Sequence, residues 1–258
     1  HPHRKPDQIR NMGRAFEFRK ERKMKRWGHM AKTFTKIGKE ITIAVKQGGP
    51  DVVGNSRLRA LMAEARSENM PKDNIEKAIK RALEKNQGDF KEVVFEGYGP
   101  HGIAYLVETA TDNNTRTVAN VRSYFTKCGG SLGTSGSVSF MFDHKCVFRI
   151  KYQEGMDIDE LQLALCDCDD DPEVFIEEQE DKDENITKIY GAYESYGAIQ
   201  KYIEDNGYEL VSGGFERIPN VDLKDVTPEQ RETLDKLTGL LEDDDDVTNV
   251  YNTLKPAE

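Results

Sequence analysis

The hydrophobic and polar positions change period along the chain. Phe34, Ile37, Ile41, Ala44 and Val45 fall on one helical face, and Gly48-Gly49-Pro50 ends that helix. Leu58, Leu61, Met62 and Ala65 repeat at the i, i+3, i+4, i+7 spacing of an amphipathic helix, with Asn55 or Ser56 as its cap. Pro71 breaks the chain, and Asp73-Asn74-Ile75-Glu76 reads as a capping box ahead of a stripe of Ile75, Ala78, Ile79 and Ala82. Residues 34–86 therefore predict a small helical domain with Lys and Arg on its outer faces.

From residue 91 the pattern is that of strands. Val93-Val94-Phe95 and Ile103 to Val107 flank the Gly-rich turn Gly97–Gly102. Asp112 or Asn114 caps a helix with Val118, Val121 and Phe125 inside, closed by Gly129-Gly130. Ser137 to Phe142 and Cys146 to Ile150 are further strands. A helix is expected around Ile158 to Leu165, then strands at Val174 to Ile176 and Ile186 to Tyr190, and a helix from Ala198 to Glu204. Glu209 to Ser212 and Phe215 to Ile218 are extended. Thr227-Pro228-Glu229-Gln230 is a capping box with Pro in its first turn, leading a helix lined by Leu234, Leu237, Leu240 and Leu241. Val250 to Leu254 closes as a strand. The class is α+β, with helices packed on antiparallel sheets in two ferredoxin-like units.

Length and charge sharpen this picture. The 258 residues exceed the roughly 100–200 of one domain. No apolar run approaches the roughly 18 residues of a membrane span, and His1 to Arg10 is too polar for a secretory signal. A cytoplasmic location without membrane attachment is expected. Met12-Gly13 reads as a natural start, which leaves residues 1–11 outside the fold argument. Residues 1–90 hold 22 Lys and Arg against 11 Asp and Glu, while the remainder holds 15 against 36. A basic third joined to an acidic remainder suggests a module that meets a polyanion. The competing reading is that the acidic part docks on the basic part.

Several motifs in order resemble the YebC family. They are Phe34-Thr35-Lys36, Asn55-Ser56-Arg57-Leu58-Arg59, Asn69 to Arg81, Glu96 to Gly102, Thr111 to Thr117, and Lys127 to Gly133. The resemblance covers residues 13–254. It implies three domains: a helical N-terminal domain and two α/β domains, one inserted in the other. Carried over, the boundaries are a basic arm at 1–30, a helical domain at 31–88, an α/β domain at 89–134 and 207–258, and an inserted α/β domain at 135–206. It also implies a regulator of gene expression, described for the family as transcriptional, with some members acting in translation. The family's usual opening, Gly-His-Ser-Lys-Trp, is replaced here by Gly13-Arg14-Ala15-Phe16-Glu17.

The candidate nucleic-acid contacts start in the arm, where Arg14, Arg19, Lys20, Arg22, Lys23, Lys25 and Arg26 cluster with Phe16, Phe18 and Trp27. Such a cluster neutralises phosphates, and its aromatics can stack on exposed bases. Arg57, Arg59, Lys72, Lys77, Lys80 and Arg81 extend the set onto the helical domain, where the competing reading is a solvated face. Arg116, near the Gly97–Gly102 turn in this reading, could add a forked phosphate contact. Gly129, Gly130, Gly133 and Gly136 read as a hinge into the insert. The acidic runs at Asp167, Asp169 to Asp171 and at Asp243 to Asp246 read as solvated turns, or as a surface for a basic protein.

No metal or cofactor is expected. Cys128, Cys146, Cys166 and Cys168 lack the spacing of a zinc site and read as reduced, packed thiols. His29, His101 and His144 have no nucleophile at motif spacing, so no enzyme is expected. The expected partner is DNA or ribosomal RNA. The alternatives are a ribosome-associated translation factor that relieves stalled ribosomes, a protein-interaction adaptor without nucleic acid, and a metal-dependent nuclease.

Overall fold

The computed structural model describes residues 30–85, 88–177 and 185–257. The expected arm residues, Arg14 to Arg26, lie outside the described residues. The chain forms two compact units, one from His1–Lys36, Asn86–Asp143 and Ile218–Glu258, the other from Ile37–Lys85 and His144–Arg217.

Helix α1 (Met30–Gly48) buries Ile37, Ile41, Ala44 and Val45, the stripe expected from their spacing. Helix α2 (Ser56–Ser67) is capped by Asn55, whose side chain accepts from the Leu58 amide. The same buried Asn55 amide donates to the Ala44 and Gly49 carbonyls, each at 2.9 Å, which fixes the turn between the two helices. Asn69, at φ 58, closes α2 in a Schellman turn, with Asn69 N–H on the Arg66 carbonyl and Met70 N–H on the Ala65 carbonyl. Helix α3 (Lys72–Leu83) starts earlier than the capping box predicts. Pro71 is its N-cap with no side-chain bond, and Asp73 sits within the first turn. There the carboxylate favours the helix through its dipole rather than by capping.

The first unit carries a sheet of β1 (Lys91–Tyr98), β2 (Ala104–Thr111), β3 (Ser131–Leu132) and β8 (Val247–Asn252), in the order β3-β1-β2-β8. Helices α4 (Asn114–Lys127) and α7 (Pro228–Asp243) pack on it through Val121, Phe125, Leu234, Leu237 and Leu241, over Tyr105 and Val107. Asn113, rather than Asp112 or Asn114, caps α4. The Thr227 capping box with Pro228 forms as expected. Lys32 and Lys36 donate to the Asp243 and Glu242 carbonyls at the C-terminus of α7, where a helix leaves acceptors free.

The second unit adds β4 (Phe142–Lys151), α5 (Ile158–Cys166), β5 (Phe175–Glu177), β6 (Ile186–Ala192), α6 (Tyr196–Asp205) and β7 (Leu210–Pro219). Its strand order is β5-β6-β4-β7, and with its β-α-β-β-α-β succession this is the ferredoxin-like arrangement. Cys146, Phe148, Ile150, Leu161, Leu165, Ile189, Ile199 and Ile203 form its core. The last strand of this sheet runs to Pro219. Glu209 to Ser212 and Phe215 to Ile218 are one strand rather than two. A Cβ on Gly213 would lie 2.6 Å from the Phe148 ring, so the glycine is there for that approach and not for a turn.

The stretch Ser137 to Phe142 is not a strand. It contains the short helical turn Ser139–Met141, and its amides turn inward on Glu96. No helix among the described residues is long and apolar enough to cross a membrane.

Candidate nucleic-acid interface

The basic residues of α3 are arranged by its apolar stripe. Ile75 and Ala78 are buried, which turns Lys77 and Lys80 to the opposite face, one turn apart and exposed. Lys72 is exposed at the start of the helix, with its Nζ 3.8 Å from Glu76. Lys80 and Arg81 occupy the last turn, where cations complement the helix dipole; Arg81 is half-buried. The Thr42 hydroxyl donates to the Ala78 carbonyl at 2.8 Å and ties α3 to α1. The four residues Glu68 to Pro71 join α2 to α3, so this face is carried on a short, closed turn.

The arginines of α2 are engaged inside their own unit. Arg57 donates to the Gly213 carbonyl, lies 3.7 Å from Glu40, and stands 5.8 Å over Phe215 and 6.0 Å over Tyr196. Burial works against its charge, but Glu40 and Tyr196 more than offset this and hold its pKa above the usual value. Arg59 makes a fork with Glu204, Nε to Oε2 at 2.8 Å and Nη2 to Oε1 at 3.0 Å. Its Nη1 donates to the Val52 and Val53 carbonyls, both at 2.7 Å. Both guanidinium groups thus hold partners within their own unit.

Arg116 is likewise engaged by carboxylates of its own unit. Its Nε and Nη2 form a fork on Asp246 at 3.0 and 2.7 Å, and Nη2 reaches Asp112 at 3.2 Å. The Asp246 bond is the main cause of its raised pKa. Thr117 donates to the same carboxylate at 2.9 Å, and the Tyr124 hydroxyl donates to Asp244 at 2.7 Å. Asp246 is buried. This acidic run is an anchor for α4 and not the solvated turn expected.

The Gly97–Gly102 turn and Arg116 do not form one site. They lie at opposite ends of β2, separated by the length of an eight-residue strand, roughly 26 Å. The glycines serve packing. A Cβ on Gly97 would lie 2.6 Å from the Ser131 carbonyl oxygen, and one on Gly99 2.7 Å from the Tyr105 ring. His101 holds φ 66, and its carbonyl accepts from Lys224 Nζ at 2.5 Å.

The expected hinge at Gly129 to Gly136 also has a fixed geometry. The Glu96 carboxylate, 4 % exposed, accepts from Gly136 N–H at 2.7 Å, Val138 N–H at 3.0 Å and Ser139 N–H at 2.6 Å. Burial alone would raise its pKa, but the three amides outweigh that and hold it below the usual carboxylate range. A carboxylate some 40 residues earlier in the chain gives no local signal of this role.

A helical N-terminal module, followed by two α/β sheets with one strand set inserted within the other, defines the class. The chain belongs to the TACO1/YebC family. The family's N-terminal domain matches residues 14–85, and its second and third domains match residues 90–254. Similar proteins include one from Parabacteroides distasonis, 60% identical over 244 residues, covering 95% of this chain and 97% of its own. Another, from Bacteroides thetaiotaomicron, is 60% identical over 247 residues, covering 96% and 98%. A third, from Flavobacterium johnsoniae, is 56% identical over 244 residues, covering 95% and 99%. All three carry the name probable transcriptional regulatory protein. The solved structure of a conserved hypothetical protein from Aquifex aeolicus matches with a TM-score of 0.73 and 32% identity, over 89% of this chain and 92% of that one.

Proposed function

We propose that the chain is a non-enzymatic regulator of gene expression that binds duplex DNA through its basic N-terminal third. The observation that carries this reading is the set of exposed lysines on α3, Lys72, Lys77 and Lys80, on a module that is basic as a whole. These lysines supply point charges to phosphates and release counterions, which gives salt-dependent binding without base reading. The cluster from Arg14 to Arg26 adds seven further cations of the same use. Arg57, Arg59 and Arg116 act from within the fold. The names of the relatives support a transcriptional role.

The test is competition binding of the labelled chain to promoter-length duplex DNA and to ribosomes, titrated through salt. A duplex that resists salt and outcompetes random DNA supports the transcriptional reading. Steep collapse on every duplex, with ribosome binding surviving physiological salt, replaces it with a translational one. Failure to bind either leaves the adaptor reading in its place.

A further inference from the structure

We infer that the surface around Tyr193 docks a basic polypeptide segment, with an arginine of that segment stacked on the Tyr193 ring.

The site is a set of rings from several elements of the second unit. Tyr193 follows β6, in the short turn Tyr193–Ser195. Its ring centroid lies 4.5 Å from that of His144 on β4 and 4.7 Å from that of Phe215 on β7, while His144 and Phe215 are 5.9 Å apart. Those distances close a triangle, so the two neighbours do not sandwich the tyrosine from opposite sides. Tyr193 is 45% exposed, far above a packed aromatic. Behind it, Phe215 stacks on Tyr196 at 4.7 Å and 29°. Its position is therefore set before any partner arrives, and little side-chain freedom is lost on binding.

The choice of occupant follows from charge and from the inner end of the same stack. There the Arg57 guanidinium already lies over Phe215 and Tyr196. The outer end offers the same chemistry to solvent. Residues 144–217 carry 20 Asp and Glu against 7 Lys and Arg. Next to the rings, Glu194 is exposed, and the Ala192 amide bonds the Pro172 carbonyl at 2.7 Å, which brings the exposed Asp171 alongside. Lys145, which precedes Cys146 and follows His144 on β4, is paired with Glu173. A nucleic-acid base could use the same ring, but its phosphates would meet this negative field. A guanidinium gains both the ring face and the field. The acidic residues select the partner, and the aromatic cluster makes the site.

The test uses the full chain and three labelled probes: an Arg-Gly repeat peptide, a Lys-Gly peptide of equal charge, and a uridine oligonucleotide. The arginine peptide is expected to bind several-fold more tightly than the lysine peptide. Tyr193→Ala should weaken arginine-peptide binding about 2–30-fold and abolish the preference. Tyr193→Phe should retain both, and Tyr193→Leu should behave as the alanine variant while keeping the side-chain bulk. Equal binding of the two peptides by the unaltered chain overturns the proposal. So does an arginine-peptide affinity untouched by Tyr193→Ala and Tyr193→Leu. Loss of oligonucleotide binding alone in these variants overturns it in favour of base stacking. Binding of duplex DNA through Lys77 and Lys80 is a separate readout and should not move.

Discussion

Arg59 and Glu204, 145 residues apart, meet in a two-bond fork while the third arm of the same guanidinium holds the carbonyls of Val52 and Val53. One side chain thereby joins α2, the α1–α2 turn and α6. Each side chain of the pair is about one-third exposed, so solvent screens part of the attraction. Arg59→Ala is expected to cost about 1–2 kcal/mol, because the ion pair and two carbonyl bonds go together. Chemical denaturation would register it. DNA affinity and its salt slope should change little, which separates a clamp from a phosphate contact.

Lys77→Ala and Lys80→Ala should behave in the opposite way. Both side chains are exposed on α3, so stability should hold. The plot of log affinity for duplex DNA against log salt should become shallower by about 0.9 for each phosphate no longer neutralised. An unchanged slope in the double variant would remove α3 from the interface.

Glu96 links loop order to pH. Its folded pKa lies below the unfolded value, so its contribution is fully present above the unfolded pKa and is lost as pH falls through the folded one. At neutral pH, Glu96→Ala should destabilise the first unit by about 1–3 kcal/mol, since three amides lose a charged acceptor. Hydrogen exchange at Gly136, Val138 and Ser139 should quicken in this variant. The unaltered chain should show the same quickening only in acid.

Thiol reactivity should follow burial. The Cys146 thiol is pushed up to about 12, first of all by burial. Cys128 is buried as well, whereas Cys166 is exposed. Mild alkylation at neutral pH is expected to modify Cys166 and leave Cys128 and Cys146 intact until denaturant is added; peptide mapping would read this directly. Rapid modification of Cys146 in the folded chain would contradict the packing described for its strand.

The sequence made the helices legible because their apolar stripes and caps are local. Asn55, Thr227 and the stripe of α1 needed only neighbours within a turn or two. The sites were less legible because their partners are distant. Arg116 and Asp246 stand 130 residues apart, and nothing near Arg116 distinguishes a guanidinium turned outward from one bound to its own chain. The glycines were no more legible. Gly213-Gly214 looked like a break between strands, yet the backbone runs straight through to admit Phe148. In the Gly-rich turn after β1, the glycines make room for Tyr105 and the Ser131 carbonyl, a demand set by residues distant in the chain.

The neighbouring positions of β4 and β7 have an architectural consequence. They are the first and last strands of the inserted sheet, and they are hydrogen-bonded neighbours. The chain thus leaves and rejoins its host through a gap of about one strand spacing, roughly 4.8 Å. Asn220 spans the two connecting segments, donating to the Phe140 carbonyl and to Asp143, both at 3.0 Å. An insertion with such closely spaced ends behaves as a cassette. Its closely spaced ends leave the host sheet unstretched.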